Sequence, residues 1–340
     1  MNENGGPDSV IGSTHSTSFN VTGLIADTNY CFRIEAALSG TATSTSNSIC
    51  ITPDLPIAPL FSYIKKVTVA SENTITVEAY VDTAADIYSY RLYRAYSPGG
   101  PFYPSTVINA TANPIISFTD NPMTDRTYYY KIASLDSCGN SKIYSQVSQS
   151  VYLNCYANDD YSNTLNWNDY TLWDAGVSSY VIQRSTDIDY AWRTIATVDT
   201  GSGNRYVDII NSTQSAVGKF CYRVVAIEDF GNMYGFRDTV YSNEMCVQQT
   251  PVFFIPSAFR PGGVNRVFKP EATFVNFDSY HLKIYSRTGQ LMFDTTKFLE
   301  GWDGKFSGRE CEEGVYVYHI YARGGDGGDI KRTGSVILVR

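Results

Sequence analysis

The chain has 340 residues, a formal net charge of −8 and a charged fraction of only 18%. It contains no cluster of lysines or arginines that could neutralise a row of phosphates, which argues against nucleic-acid binding. No segment approaches the roughly 20 consecutive apolar residues that a membrane-spanning helix requires. A chain of this length is predicted to hold two to four domains.

Composition predicts an all-β protein. Aromatic residues make up 14% of the chain, and short runs of Val, Ile, Thr and Tyr recur between turn-forming Gly, Asn, Asp and Ser. No long stretch has the apolar periodicity of an amphipathic helix. The polar start, MNENGGPDS, lacks the apolar core of a signal peptide. If the protein is secreted, we expect this segment to begin downstream of its signal peptide and Met1 to be an expression start.

Residues 1–54 are predicted to form a partial β-sandwich, here called the first unit. The segment 30–36, YCFRIEA, repeats the FCYRVVA of residues 220–226, and self-similarity of this kind marks a repeated structural unit. Only about 30 residues precede this segment, too few for a whole sandwich of about 100 residues. The first unit is therefore expected to be a truncated remnant.

Residues 55–151 and 152–250 are predicted to be two complete sandwiches, the second and third units. Residues 128–140 and 220–232 align without a gap at an offset of 92, close to the size of an immunoglobulin-like sandwich. This spacing predicts equivalent strands in the two units.

Alternation within a strand predicts which side chains face the core. Tyr222, Val224 and Ala226 alternate with Arg223, so the first three are expected inside and the arginine outside. Trp167 lies on the inner set of its own strand and is predicted to be a core tryptophan.

The repeats resemble the fibronectin type III family, in which a Leu, a Thr and a corner Tyr precede this strand. Leu24, Thr28 and Tyr30 fit that order. The resemblance covers residues 20–250 loosely. It implies tandem immunoglobulin/fibronectin III-like sandwiches, whereas a fold of this kind implies no function by itself.

Two disulfides are predicted from the repeats. The first unit has Cys31 followed by a Ser-Asn-x-x-Cys motif that ends at Cys50, and the third unit has Cys221 followed by the same motif ending at Cys246. The second unit lacks both cysteines together. Joint loss is expected if the two members of each pair are bonded to each other across neighbouring strands.

The remaining cysteines are Cys138, Cys155 and Cys311. Cys138 and Cys155 flank the boundary between the second and third units, so we predict a bridge there that limits hinge motion, and Cys311 is left unpaired. Disulfides at this density indicate an extracytoplasmic location. Zinc is a poor alternative, because no two cysteines are two to four residues apart.

Residues 251–340, the terminal unit, carry a different pattern. Its motifs are, in order, FIPSAF (254–259), FKP (268–270), LKIYSRTG (282–289), GWDG (301–304), GVYVY (314–318) and GSVILVR (334–340). Strand alternation over these motifs predicts a small β-sandwich at the C-terminal end of the chain. Asp303 and Gly304 are expected to supply the positive φ of a tight hairpin turn, with Trp302 as an anchor.

These motifs resemble the gliding motility-associated C-terminal domain, the type B sorting domain of type IX secretion in Bacteroidota. The resemblance implies an export signal that carries the protein across the outer membrane to the cell surface. It also implies two partners, the type IX secretion translocon and a PorP/SprF-like outer-membrane protein. The residues expected to serve sorting or partner binding are Gly301, Trp302, Asp303, Gly304, Gly314, Val315, Tyr316, Tyr318, Gly334, Val336, Leu338 and Arg340.

Two features of the terminal unit refine that expectation. The family commonly has a longer acidic loop after the first Phe-x-Pro, whereas residues 259–266 read FRPGGVNR. A calcium ion needs several oxygen ligands, and Arg266 would oppose it, so bound calcium is not expected. The chain ends in a strand, residues 336–340, and a terminal strand can lie at a sheet edge, where unpaired backbone groups accept a partner strand. We hypothesise that an outer-membrane partner engages this small sheet by its edge or by its face.

Catalytic motifs are missing from the sequence. It has no Gly-x-Ser-x-Gly elbow, no phosphate-binding glycine loop and no His-Glu-x-x-His motif. Acid pairs such as Asp159-Asp160 lie in turn-rich segments, whereas a glycosidase holds two carboxylates across a cleft. We therefore predict a non-enzymatic protein with no cofactor.

The favoured function is the C-terminal region of a secreted, adhesin-like surface protein, with stalk modules and a type IX secretion signal. The alternative is a glycan-binding tail of a surface protein or of a secreted hydrolase. That alternative rests on Trp173 and Trp192, which could stack on sugar rings if they are exposed. The other interpretation is that each is a loop tryptophan folded over the core.

Overall fold

All regular structure in the described part of the chain is β-strand. The structure is a computed structural model that describes residues 1–37, 42–54, 56–171, 173–211 and 215–340. The strands form open sheets that succeed one another along the chain. The all-β expectation, with tandem fibronectin III-like sandwiches and a small C-terminal sandwich, is confirmed.

The first unit is a thin assembly of short strands. The β1-β2-β5 sheet is anchored by Tyr30, which is 3% exposed and whose hydroxyl accepts the backbone N–H of Ile25 at 3.0 Å. Ile34 and Ile49 stay exposed, because no second complete sheet covers them. The strands are β1 (Asn2–Glu3), β2 (Tyr30–Phe32), β3 (Glu35–Ala37), β4 (Thr43–Thr45) and β5 (Ile49–Ile51).

The second unit is a sandwich of two sheets, β10-β7-β6 and β12-β11-β8-β9, with β13 paired to β11. Val77 and Phe118 of one sheet and Leu92 and Tyr130 of the other are fully buried, so their alternating inward side chains make the core. The strands are β6 (Ser62–Ser71), β7 (Thr74–Val81), β8 (Ser89–Ala95), β9 (Tyr103–Asn109), β10 (Ile115–Asp120), β11 (Tyr129–Leu135), β12 (Ser141–Tyr144) and β13 (Ser148–Gln149).

The third unit repeats this topology, with sheets β14-β15-β18 and β17-β16-β19-β20 and with β21 paired to β19. Tyr222, Val224 and Ala226 are fully buried and Trp167 is 6% exposed, which confirms the predicted inward set. The strands are β14 (Leu153–Ala157), β15 (Ser162–Trp167), β16 (Val177–Thr186), β17 (Arg193–Asp199), β18 (Arg205–Ile209), β19 (Lys219–Glu228), β20 (Thr239–Tyr241) and β21 (Met245–Gln248).

A buried polar network links the two sheets of each complete sandwich. In the second unit, Arg94 from β8 and Tyr130 from β11 both donate to the same carboxylate oxygen of Asp120 on β10, each at 2.9 Å. Burial, and then the Asp120 charge, raises the pKa of Tyr130. The third unit repeats the set with Arg184, Asp208 and Tyr222.

A serine followed by an amide residue attaches the outermost strand of each complete sandwich. The Gln146 side chain bonds both the N–H and the carbonyl oxygen of Ile64 on β6, at 3.1 and 2.9 Å. Asn243 makes the same pair of bonds to Leu153 on β14, at 2.7 and 3.0 Å. These are the Ser-Asn positions of the repeated cysteine motif, so that motif encodes a strand clamp as well as a disulfide.

The two disulfides predicted from the repeats are confirmed. Cys31 is bonded to Cys50 and Cys221 to Cys246. In both units the bonded residues lie directly opposite each other on paired strands, β2 with β5 and β19 with β21.

The predicted bridge between Cys138 and Cys155 is wrong, because both thiols are free. Cys138 lies in the exposed turn between β11 and β12, whereas Cys155 is 6% exposed in the core of the third unit. Leu153 and Cys155 alternate with the exposed Asn154 along β14, so the Cys155 side chain points inward and away from the neighbouring unit. Cys311 is also a free, buried thiol.

Side-chain packing, rather than a disulfide, joins the second and third units. The indole N–H of Trp173 donates to the carbonyl oxygen of Lys65, and the N–H of Val67 donates to the Tyr170 hydroxyl at 2.9 Å. The Lys65 ammonium lies 3.5 Å from the carboxylate of Asp238, and both side chains are largely shielded from solvent.

An aromatic cluster completes this contact. Phe61, Tyr63 and Tyr80 of the second unit meet Tyr234 and Phe236 of the third, with ring centroids 5.0 Å apart for Tyr63 and Tyr234 and 5.3 Å apart for Tyr80 and Phe236. Aromatic pairs at these separations stabilise a contact beyond the area they bury. The two units are therefore held in one orientation by side-chain packing.

The terminal unit is built on a five-stranded sheet of order β23-β30-β29-β25-β26. All neighbours in it are antiparallel except β23 and β30, which are parallel. The strands are β22 (Val252–Phe254), β23 (Ala258–Phe259), β24 (Glu271–Thr273), β25 (Val275–Tyr285), β26 (Leu291–Thr295), β27 (Lys305–Phe306), β28 (Arg309–Glu310), β29 (Gly314–Gly324) and β30 (Asp329–Leu338).

Phe274 attaches the terminal unit to the third unit. Its side chain is 2% exposed and its ring lies 6.0 Å from Phe220 and 6.4 Å from Tyr161, both in the third unit. Its φ of 62° is uncommon for a bulky residue. A Cβ on Gly218 would lie only 2.8 Å from that of Phe274, so the close approach requires glycine at position 218.

Candidate functional site

Trp302 is the centre of the terminal core. It is completely buried, and its indole N–H donates to the carbonyl oxygen of Lys305 at 2.9 Å. Its ring packs edge-on against Tyr316 at 4.7 Å and at a tilt against Phe259 at 5.4 Å. Its backbone exchanges two hydrogen bonds with Phe268, at 2.8 and 3.0 Å. The GWDG motif is therefore a packing anchor that ties the loop to the sheet.

The glycines of the signature motifs allow close packing. Gly304 has a φ of 80°, and a Cβ there would lie 3.0 Å from a methyl group of Leu338. A Cβ on Gly334 would lie 2.3 Å from the Tyr318 hydroxyl oxygen. The positive φ predicted at Gly304 is confirmed, but the two-residue hairpin turn lies further on, at Ser307 and Gly308, which have φ values of 51° and 80°.

The expectation that the last strand is a sheet edge is wrong for its final residues. Ile337 and Leu338 pair with β23 on one side and with β29 on the other. The N–H groups of Ile337 and Val339 donate to the carbonyl oxygens of Ser257 and Phe259. The earlier part of β30, up to Val336, does not pair with β23.

The twelve sequence-predicted sorting residues fall into three groups by exposure. The buried group is Trp302, Gly304, Tyr316, Val336 and Leu338. The half-buried group is Gly301, Gly314, Tyr318, Gly334 and Arg340, and the exposed group is Asp303 and Val315. Five of the twelve are therefore closed to direct contact with a partner, and only two are fully exposed.

Arg340 is held against the body of the terminal unit. Its guanidinium donates to the carbonyl oxygen of Cys311 at 2.7 Å and pairs with Glu310 at 2.7 Å. Its backbone N–H donates to the carboxylate of Glu313 at 2.6 Å. Burial raises the pKa of the Cys311 thiol.

The opposite surface of the terminal sheet, here called the outer face, carries charged and aromatic side chains. It surrounds a shallow cleft of about 300 Å³ lined by His281, Lys283, His319, Ile320, Tyr321, Lys331 and Thr333. Six of them occupy outward alternate positions of the neighbouring strands β25, β29 and β30, whereas the seventh, Ile320, is 2% exposed and belongs to the core. None of these seven residues is among the twelve sorting residues expected from the motifs, although strand alternation around Leu282 and Ile284 predicts Lys283 on the opposite face of the sheet.

Carboxylate contacts fix the rim of the outer face. Asp294 on β26 lies 2.7 Å from the His281 imidazole and 3.8 Å from the Lys283 ammonium. A hydrogen bond from the Tyr321 hydroxyl, with a further contribution from Arg323, holds the pKa of Asp329 below its usual range. Lys331 has no carboxylate partner among the ion pairs of the described residues, so the face keeps a local excess of positive charge.

The loop that departs from the family pattern closes on itself. The Arg260 N–H donates to the carbonyl oxygen of Asn265 at 2.9 Å, and the Arg266 guanidinium donates to that of Gly263 at 3.3 Å. Across the described residues, no group of three or more His, Cys, Asp or Glu could hold a metal ion. The expectation of no bound calcium stays a prediction.

The tryptophans of the glycan-binding alternative are not open platforms. Trp173 is 5% exposed between two units, so the interpretation that it stacks on sugars is wrong. Trp192 is half-buried, and the Arg223 guanidinium lies 4.5 Å above its ring. The part of the chain that the structure describes has no helix of the length and apolar character needed to cross a membrane.

Comparison with known proteins identifies the terminal unit. Residues 253–338 match the family described as the CHU_C type IX secretion signal domain. No curated protein matches the chain.

Two solved structures are similar to most of the chain. The first is a tetra-tandem repeat in the extending region of a large adhesion protein; it is 12% identical, covers 92% of this chain and 81% of its own, and has a TM-score of 0.27. The second is the chicken CNTN1 FN1-FN3 domains; it is 10% identical, covers 84% of this chain and 100% of its own, and has a TM-score of 0.23.

The terminal unit is thus a type IX secretion signal domain, as its motifs indicated. Such a signal directs export across the outer membrane to the cell surface or the extracellular space. The protein is therefore a secreted surface protein whose terminal unit interacts with the secretion machinery.

Proposed function

We propose that this chain is the export and attachment region of an adhesin-like surface protein of a gliding bacterium of the Bacteroidota. In this proposal the terminal unit engages a PorP/SprF-like outer-membrane protein through its outer face. The sandwiches serve as stalk modules and carry no catalytic activity. One observation supports this assignment above the others: only two of the twelve expected sorting residues, Asp303 and Val315, are exposed, whereas the outer face is open.

The proposal assigns recognition to the outer face because a folded signal can only be read on its surface. Lys283 and Lys331 present positive charge beside the cleft, and Val315 and Ile337, opposite each other on β29 and β30, add an exposed apolar pair. A mixed surface of this kind suits a partner that offers acidic and apolar side chains. The buried signature then acts indirectly, by holding the sheet in shape.

The proposed domain division is 1–54, 55–151, 152–250 and 251–340. It is supported by the strand bounds, since no described strand crosses these limits. The packing between the second and third units supports the stalk role, because side chains rather than a disulfide restrict bending there. No observation favours the glycan-binding tail at Trp173 or Trp192.

Reversing charge on the outer face tests the proposal in a host that secretes by the type IX route. The full chain would carry Lys283→Glu with Lys331→Glu, and surface display and co-purified outer-membrane proteins would be measured. We expect loss of display and of a specific membrane partner. Lys297→Glu is the matched control, since Lys297 is 77% exposed in the same unit but outside the cleft. Normal display of the double variant would disprove recognition through this face.

A further inference from the structure

The second unit has a cleft that the stalk role does not require. It measures about 350 Å³ and is lined by Arg94, Tyr96, Tyr103, Pro104 and Ser105. This volume is at the small end of the range of about 300–1,000 Å³ for ligand pockets. We propose that this cleft is a saccharide-binding site for a short stretch of a neutral polysaccharide chain.

Two tyrosines form the walls of the cleft. Tyr96 is 60% exposed and Tyr103 is 59% exposed. The Tyr96 ring is supported by Tyr128 at 5.7 Å and by the Arg126 guanidinium, also at 5.7 Å. A tyrosine held in this way offers a large apolar face and a hydroxyl at little cost in conformational entropy. Such faces suit the apolar C–H surface of a sugar ring.

The floor of the cleft is polar and is held in place before any ligand arrives. Arg94 donates to Asp120 at 2.9 Å, and the Ser105 hydroxyl donates to the other oxygen of the same carboxylate at 2.6 Å. Asp120 is 6% exposed, so it fixes the other two groups from below. A guanidinium and a serine hydroxyl at the base of an aromatic slot can bond the hydroxyl groups of a sugar.

The charges around the cleft are balanced, which favours a neutral ligand. Arg94 pairs with Asp120, and Arg126 pairs with Asp125 at 3.0 Å. An acidic polysaccharide would find no unpaired cation among these groups. A neutral sugar would lose little when its hydroxyls exchange water for this pre-arranged floor.

The third unit provides an internal comparison. Its Arg184 and Asp208 repeat the floor pair of Arg94 and Asp120, so that pair belongs to the fold. The walls are not repeated: Arg193 lies opposite Arg184 where Tyr103 lies opposite Arg94. Two positions after the arginine, the third unit has Thr186 where the second unit has Tyr96. The exposed tyrosines are therefore not needed to build this sandwich, which points to a role in binding.

Affinity gel electrophoresis of the full chain tests the proposal. The gels would contain laminarin or yeast mannan as neutral polysaccharides, or alginate as an acidic one. We expect at least one neutral polysaccharide to retard the protein, and Tyr96→Ala or Tyr103→Ala to weaken that binding roughly tenfold. Tyr190→Ala, which truncates an exposed tyrosine of the third unit, should leave it unchanged.

The remaining outcomes are decisive against the site. Retardation by alginate alone, no retardation by either neutral polysaccharide, or binding that survives both cleft substitutions would each overturn the proposal. Thermal unfolding of each variant gives the folding control. Since more than half of the surface of each tyrosine is exposed to solvent, we expect the variants to have unchanged thermal unfolding midpoints. Export is not measured, so the result is independent of the function proposed for the terminal unit.

Discussion

The indole N–H of Trp173 in the third unit donates to the backbone carbonyl oxygen of Lys65 in the second unit. Trp173 is 5% exposed and packs against Tyr170 with a centroid separation of 4.4 Å. A loop tryptophan of one sandwich thus bonds the first strand of the other. The relative orientation of the two units depends on this packing and on the buried pair of Lys65 and Asp238.

Truncating Trp173 is expected to release that orientation. Trp173→Ala removes a buried ring and should cost about 3–5 kcal/mol of unfolding free energy if the contact behaves as a core. Small-angle X-ray scattering should show a larger radius of gyration and denaturant titration a lower midpoint. Trp192→Ala is the matched control in the same unit, because Trp192 is only half-buried. An unchanged scattering profile for Trp173→Ala would contradict the assignment.

Removing the disulfide of the third unit is expected to destabilise that unit. Cys221→Ser combined with Cys246→Ser opens a loop whose ends are 25 residues apart, and closing a loop of this size is worth about 3 kcal/mol through the unfolded state. Guanidinium titration would measure the loss. Cys138→Ser, which changes an exposed free thiol, should have no effect. Equal unfolding free energies for the native protein and the double variant would show that strand pairing alone gives the third unit its stability.

The strand clamp predicts a distinct loss for Asn243→Ala. The substitution leaves the buried N–H and carbonyl oxygen of Leu153 without their partner, at a cost of about 1–3 kcal/mol. Hydrogen exchange should increase along β14, where Leu153 lies. Asn154→Ala on the same strand changes an exposed side chain and should leave exchange as it was.

The free thiols are expected to differ in reactivity. Exposed Cys138 should react with iodoacetamide in the native protein, whereas Cys155 and Cys311 should react only after unfolding. Burial raises the pKa of Cys155 to about 12, with a further contribution from the Asp208 charge, so little thiolate forms at neutral pH. Mass spectrometry would locate the label, and native labelling of Cys155 would contradict its placement.

The raised pKa of Cys155 predicts that the free energy of unfolding falls at alkaline pH. The pKa of the Cys155 thiol is 9.0 in the unfolded chain and about 12 in the folded protein. The stability associated with this group is therefore fully present below pH 9 and is lost as pH rises toward 12. Cys155→Ala should make unfolding less sensitive to pH over that window, as measured by urea titration. An unchanged pH slope would count against the burial of a titrating thiol.

Trp302 is expected to be required for export through its effect on folding. Trp302→Ala removes the central ring of the terminal core and should cost about 3–5 kcal/mol. Display should fall together with the stability of the terminal unit. Trp302→Phe should recover part of both, since it keeps an aromatic ring in contact with Tyr316. Full display by a destabilised Trp302→Ala protein would show that the export machinery does not require the folded unit.

The repeated strands and the two disulfides could be predicted because their signals are local and occur more than once. Inward positions such as Val224 followed from alternation alone. Alternation should also have excluded the bridge to Cys155, since Leu153 and Cys155 share one face of β14 and Asn154 occupies the other. The position of Cys138 and Cys155 on either side of the unit boundary suggests a bridge, whereas the periodicity of β14 predicts a core thiol at Cys155, as the structure shows.

Other features have no signal in one sequence. Nothing in the loop that holds Tyr234 and Phe236 marks it as a contact with another unit rather than as an ordinary turn. The parallel pairing of Phe259 with Leu338 joins residues far apart in the chain, and no local motif specifies it. The walls of the cleft, Tyr96 and Tyr103, resemble any strand tyrosines until the fold brings them together.

The place of β30 between β23 and β29 constrains when the signal can exist during biosynthesis. Phe259 has its neighbour in the sheet only after the chain has been made as far as Leu338. The sheet of the terminal unit therefore lacks the strand between β23 and β29 until residues 329–338 have been made, and so distant a pairing then forms slowly. A nascent chain that stops before this strand would therefore carry no folded secretion signal. Only a chain translated through β30 could present one.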